Sequence, residues 1–180
     1  MTISQFSGPE FSRSFALNTI GTTPRTVSIS GDANECAALA ARFDLVAIDR
    51  LEAQATLVSE GDSILCTGAL RANVVQGCVA TQAQVAAAIN TNFTIRFVAH
   101  LTEAAPADEI EIDVDDCDMI EHDGQAIDLG EAVAQTLLLS LDPFPRAKNA
   151  AATLKAAGVI AEDEVGNAAF AGLKNLLGKP

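Results

Sequence analysis

Apolar and polar positions alternate with a period of two through much of the first hundred residues, and near residue 129 the period lengthens to between three and four. The first regime predicts strands and the second a helix, because side chains alternate across a strand and recur every 3.6 residues around a helix. Phe11 to Leu17 (FSRSFAL) and Thr26 to Ser30 (TVSIS) alternate on either side of Gly21-Thr22-Thr23-Pro24, which predicts a hairpin-like pair. Asp32 or Asn34 can cap a helix running to about Phe43, with Cys36, Leu39, Ala40 and Phe43 on one face. Leu45 to Ile48 and Leu51 to Val58 make the next strand, with a bulge expected near Asp49-Arg50. After a turn at Glu60-Gly61-Asp62, Ser63 to Val75 returns with Ile64, Cys66, Gly68, Leu70, Ala72 and Val74 on one face. Val85 to Val98 follows with Ile89, Phe93, Ile95 and Phe97 aligned. Short turns and no crossover helix predict an antiparallel meander with one packed face.

Beyond residue 101 the chain becomes acidic. Ala104 to Asp108 reads as a loop. Glu109 to Asp115 alternates strictly, placing Ile110, Ile112 and Val114 inward and Glu109, Glu111, Asp113 and Asp115 outward. Acids on such a strand discourage edge-to-edge pairing. Asp128 then stands three residues before Glu131, the spacing of a capping box. The helix it opens has Leu129, Ala132, Val133, Thr136, Leu137, Ser140 and Leu141 on one face, widened by Leu138 and Leu139. Pro143 and Pro145 end it, since neither has an N–H and each disfavours helix in the residue before it. Ala150 to Ala157 is helical by composition, and Phe170, Leu173, Leu176 and Leu177 fall at helical spacing beyond an acidic run at 162–164. The pattern predicts an α+β fold: a mainly antiparallel β-sheet or partly open barrel carrying a short N-terminal helix and a longer one near 129–141. A single domain over 1–180 is expected, with 158–180 as a mobile segment.

Composition sharpens this reading. The chain has 180 residues, no Trp, no Tyr and eight Phe, so the core must be aliphatic and base stacking on Tyr or Trp is excluded. Residues 97–145 contain no Lys or Arg but hold 13 of the 24 acids; elsewhere 11 acids face 11 bases, so this interval carries the whole net charge of −13. A net-acidic chain without a basic stripe disfavours direct RNA binding through phosphates. No run reaches the ~18 apolar residues of a membrane span, and the start lacks a charged segment followed by an apolar block, so a cytoplasmic protein is expected. Cys36, Cys66, Cys78 and Cys117 form no Cys-x-x-Cys pair and read as buried thiols.

Four stretches in order resemble the YceD family, the large ribosomal RNA subunit accumulation proteins of bacteria and plastids, in its alphaproteobacterial branch. Ile127 to Arg146 (IDLGEAVAQTLLLSLDPFPR) resembles its Asp-Leu-Gly/Ala opening, Leu-rich helix and Pro-aromatic-Pro exit, carried here by Asp128, Leu129, Asp142, Pro143, Pro145 and Arg146. Ala37 to Val46 resembles its short helix and following strand. Gly68 to Thr81 resembles its central strand and Cys-Val-x-Thr turn, with Cys78 and Thr81, and Ala169 to Lys174 resembles its Pro-Phe-Ala-x-Leu ending. Many relatives have a second cysteine where Thr81 stands, so their metal binding is not carried over. Gln82-Ala83-Gln84 replaces a Leu-acid-Pro turn, and Asn149-Ala150 replaces Pro-Gly.

No hydrolase elbow, phosphate loop, dinucleotide fingerprint or His-Glu-x-x-His is present. Cys78 has no His or other base near it in sequence, and His100 and His122 make no catalytic pair; the resemblance supplies no catalytic residues. No enzyme activity and no cofactor are expected. Asp113, Asp115, Asp116, Asp118 and Asp123 crowd together, yet an EF-hand starting at Asp113 would place Cys117 fifth and Asp118 where its glycine is needed. No metal site is assigned. The resemblance implies a non-enzymatic factor supporting 23S-type ribosomal RNA accumulation. Glu109, Glu111, Asp113, Asp115, Asp116 and Asp118 are its candidate surface for a basic ribosomal or ribosome-assembly protein. The alternative is a metal-binding or thiol-dependent regulator using the 113–123 cluster or Cys78.

Overall fold

The computed structural model describes residues 9–99 and 118–159. These fall into two compact units, one of 9–76, 86–99 and 118–143, the other of 77–85 and 144–159. The predicted strand at 109–115, the loop at 104–108 and the terminal 170–177 stretch lie outside the described residues, as do His100 and Cys117.

The first unit is α+β and mainly antiparallel, as expected, and its sheet does not close into a barrel. Strands β2 (Arg25–Ser30), β3 (Ala47–Glu60), β4 (Ser63–Gly77), β5 (Gln84–Ala99) and β6 (Asp118–His122) lie side by side in that order. β2 with β3 and β3 with β4 are antiparallel. The β3–β4 ladder shifts register between Ile48 and Arg50, the bulge expected there, and Gly61 turns the hairpin at φ 62°. Period-two burial follows: Leu51, Ala53, Ala55 and Leu57 on β3, Ile64, Cys66, Leu70, Ala72 and Val74 on β4, and Phe93, Ile95 and Phe97 on β5. Ile89, expected in the same row, is only partly buried.

Beyond the meander, β6 adds to β5 in parallel, Ile95 opposite Asp118 through Ala99 opposite His122. One pairing expectation is corrected. The predicted N-terminal hairpin is absent: β1 (Ser14–Ala16) pairs instead with β7 (Ala126–Asp128) in a separate two-stranded antiparallel sheet, while β2 pairs with β3. Alternation marks a segment as strand but says nothing about which distant strand completes its ladder.

Helix α1 (Ala33–Arg42) opens with a reciprocal capping box: Asp32 accepts from the Asn34 and Glu35 amides, and the Asp32 amide donates to Glu35. Helix α2 (Leu129–Leu139) buries Leu129, Gly130, Ala132, Val133, Ala134 and Leu137 in the same aliphatic core as Cys36, Leu39 and Ala40 of α1. Leu138 and Leu139 do not widen that face; they are 45% and 79% exposed. Their positions in the helical wheel take them past the edge of the buried stripe.

Asp128 caps α2, accepting from the Gly130 and Glu131 amides, but Glu131 does not reach back to close a box. Its carboxylate instead meets the Arg42 guanidinium in a forked pair at 2.7 and 2.9 Å, and Arg42 also holds Glu10 at 3.0 Å. The two helices are tied at their polar ends. A second fork joins Arg13 to Glu35 at 2.7 and 2.8 Å. These guanidiniums hold Glu131 and Glu35 below the usual carboxylate range, with Gln135 and the Asp32 amide adding hydrogen bonds. A carboxylate depressed by folding contributes stability that is complete above its unfolded pKa, about 4.3, and is lost as pH falls through the lower folded value. Glu131→Gln and Glu35→Gln are therefore expected to cost about 0.5–1 kcal/mol each at neutral pH, after allowance for solvent screening, and less below pH ~4. Urea midpoints measured from pH 7 to pH 3 check both the size and the sign.

Candidate functional site

The second unit brings together two signature stretches that lie about 65 residues apart in sequence. The connection after β4 closes tightly: the Cys78 amide donates to the Ala83 carbonyl at 2.8 Å, and the Gln82 amide donates to the Cys78 carbonyl at 2.9 Å. Gln82 occupies the left-handed region at φ 60°, which turns the chain toward β5 without a glycine. This turn then holds the segment that leaves α2 through its prolines. The Val79 amide donates to the Pro145 carbonyl at 2.9 Å, and the Ala147 amide donates to Cys78 Sγ at 3.3 Å. Pro145 is buried while Arg146 points to solvent. Helix α3 (Ala150–Ala156) follows, with Ala150 buried.

Cys78 is fully shielded from water, and its sulfur is met by hydrogen-bond donors. The Ala147 amide first, then the Thr81 hydroxyl, with weaker help from the Ala80 and Thr81 amides, stabilise the thiolate and bring its pKa down to about 7. Cys66, shut in the aliphatic core without donors, moves the other way, to about 12. The Cys-Val-x-Thr turn thus builds an anion-stabilising cradle around sulfur, and the Pro-Arg exit supplies its strongest donor. Because the folded pKa lies below the free value, ~8.5, the stability this group contributes is complete above that value and falls away as pH drops through about 7. Titration of the thiolate ultraviolet absorbance is expected to show one step near pH 7 that Cys78→Ser removes, and Thr81→Val is expected to move that step upward.

In the first unit, Asp142 contributes its backbone: buried Gln76 donates Nε2 to the Asp142 carbonyl at 2.9 Å, while Gln76 Oε1 has no protein partner among the described residues. Asp128 and Leu129 are structural, the one a cap and the other fully buried. Of the candidate acidic surface, Asp118 opens β6 and is exposed, near exposed Glu121 and Asp123. Glu109, Glu111, Asp113, Asp115 and Asp116 lie outside the described residues. His122 and Asp123 serve a turn: His122 Nδ1 accepts from the Gly124 amide at 3.0 Å, and Asp123 accepts from the Gln125 and Ala126 amides. Those amides hold the Asp123 carboxyl below its ordinary range. Among the described residues no three His, Cys, Asp or Glu side chains gather as a metal would require. The backbone amides around Cys78 carry no residue-type signal, and Glu131 meets Arg42 across 89 residues, so neither arrangement is legible in the sequence.

The described residues define a small α+β protein built on a mainly antiparallel sheet, in which no helix is long and apolar enough to cross a membrane. Residues 66–177 match the family described as the large ribosomal RNA subunit accumulation protein YceD. The match spans more than half of the chain, which therefore belongs to the YceD family. No curated protein and no solved structure matches it.

Proposed function

We propose that this protein supports the accumulation of 23S-type ribosomal RNA as a non-enzymatic factor of ribosome biogenesis in the cytoplasm, acting through its acidic interval on a basic ribosomal or assembly protein. Family membership carries the reading. The charge distribution supports the mode of action: the net charge of −13 lies within 97–145, so steering would favour a basic protein and oppose a phosphate backbone. Asp118, Glu121 and Asp123 are exposed at and just beyond β6.

Sedimentation of cell lysate through sucrose, with a deletion strain beside it, tests the proposal. Co-migration with large-subunit precursors and a reduced 23S-type rRNA level in the deletion are expected. A variant with Glu109, Glu111, Asp113, Asp115, Asp116 and Asp118 replaced by their amides should remain folded, leave the precursor fractions and fail to restore the rRNA. A protein confined to the top of the gradient, with rRNA unchanged by its loss, overturns the reading.

The donor cradle around Cys78 favours a second reading, a thiol-dependent regulator. It requires that Cys78→Ser, folded and at wild-type abundance, lower the rRNA level; a normal rRNA profile in that variant removes it.

A further inference from the structure

The charge of this chain divides between its two units. The stretches 77–85 and 144–180 hold five Lys and Arg against three Asp and Glu, a net of +2, while the remainder holds six against 21, a net of −15. Within the described part of the second unit the charged side chains are Arg146, Lys148 and Lys155, with no acid among them. Four of the six arginines of the first unit, Arg13, Arg42, Arg50 and Arg96, are held in ion pairs. Arg146 and Lys148 are exposed and have no ion pair among the described residues. Cations left without a partner in a chain that has more than twice as many acids as bases fit an anionic ligand.

The segment that carries them is pinned at two points. The Val79 amide donates to the Pro145 carbonyl at 2.9 Å, and the Ala147 amide donates to Cys78 Sγ at 3.3 Å. Burial alternates accordingly: Pro145 is buried and Ala147 half-buried, while Phe144, Arg146 and Lys148 are exposed, Phe144 at 71%. One aromatic ring and two cations therefore line the outer side of a short strip. Prolines on both sides of Phe144 limit the backbone freedom there, so less ordering is needed on binding.

We propose that this strip is a contact for single-stranded RNA, with a base stacked on Phe144 and neighbouring phosphates on Arg146 and Lys148. Single strands are bound by cations that follow the backbone together with aromatic faces on which bases stack, and Phe can fill that role in a chain without Trp or Tyr. An acidic peptide accounts for the two cations but not for the ring, whereas RNA accounts for both. The sequence average conceals the strip, because 21 of the 24 acids that set it belong to the first unit. The inference deepens the proposed role in ribosomal RNA accumulation, and it rests on that reading for the choice of RNA over DNA.

Fluorescence anisotropy of the full chain with a labelled, unstructured RNA of about 12 nucleotides tests this contact. Binding at low salt is expected to weaken as salt rises, with a slope of about −1.4 in log K against log salt for two phosphates. Arg146→Ala and Lys148→Ala, both at exposed positions, should each reduce that slope by about 0.7. Phe144→Leu, which keeps an apolar side chain and loses the ring, should weaken binding about tenfold and leave the slope unchanged. Arg71→Ala, which removes an exposed cation from β4 of the first unit, should alter neither. No binding at low salt overturns the proposal, and so does binding that Arg71→Ala weakens as much as Arg146→Ala or that Phe144→Leu leaves intact. Polyglutamate displacing the label as well as unlabelled RNA does would also overturn it, in favour of an acidic protein. None of these outcomes touches the acidic-interval reading, which co-migration with precursors and the rRNA level of the deletion strain decide separately.

Discussion

Gly130→Val is expected to lower the unfolding free energy by about 3–4 kcal/mol, among the largest effects of any single substitution in this chain. The reason is contact distance, since Gly130 does not occupy the left-handed region. A Cβ at this position would stand 2.4 Å from the Phe11 carbonyl oxygen and 2.8 Å from the Arg13 amide nitrogen. Both are backbone atoms, so no side-chain rotation relieves the overlap. They belong to a segment fixed on both sides, with Phe11 fully buried and Arg13 held by Asp128 and Glu35. The first turn of α2 would have to move away, losing packing of Leu129 and Val133. Gly130→Ala should cost less, because only one atom must be accommodated. Urea unfolding with unchanged m-values and midpoints ranked wild type, Ala, Val would establish it. Equal midpoints for all three would mean that the 11–13 segment does not lie against the helix.

Asp128→Ala follows, with an expected loss of about 3 kcal/mol. One oxygen of this carboxylate accepts from three amides, Arg13 at 2.8 Å, Gly130 at 3.0 Å and Glu131 at 3.2 Å, and the other accepts from the Ser12 hydroxyl at 2.6 Å. A helix N-cap alone is worth about 1 kcal/mol. The larger figure arises because removal also strands the Arg13 amide, in a segment that Gly130 holds too close for water to replace the carboxylate easily. Asp128→Asn keeps one acceptor oxygen and should lose only about 1 kcal/mol. If Asp128→Ala and Asp128→Asn are equally mild, the carboxylate is a cap and nothing more. Gly130 and Asp128 thus serve one junction: the glycine admits the 11–13 segment to the helix terminus and the aspartate bonds it there.

The sequence by itself determined those features that depend on short-range chemistry. Period-two burial on β3, β4 and β5, the bulge at Ile48–Arg50, the turn at Gly61, the Asp32 and Asp128 caps and the proline exit from α2 all follow from spacing and side-chain type within a few residues. The mainly aliphatic core, which also takes in Phe11, Phe93 and Phe97, and the concentration of charge in 97–145 are likewise properties of composition. Only the tertiary structure decided who meets whom. Ser14–Ala16 passes over its neighbour Arg25–Ser30 and pairs with Ala126–Asp128, because ladder hydrogen bonds are made by backbone that every residue shares. Glu131 abandons the capping box for Arg42, since a guanidinium from another helix offers two charged donors where the local backbone offers one neutral amide. Leu138 and Leu139 are apolar yet exposed, because the width of a buried stripe is set by what packs against it. The cradle around Cys78 is made by the amide of Ala147, a residue whose side chain carries no chemistry and whose position beside the sulfur is fixed only by the fold.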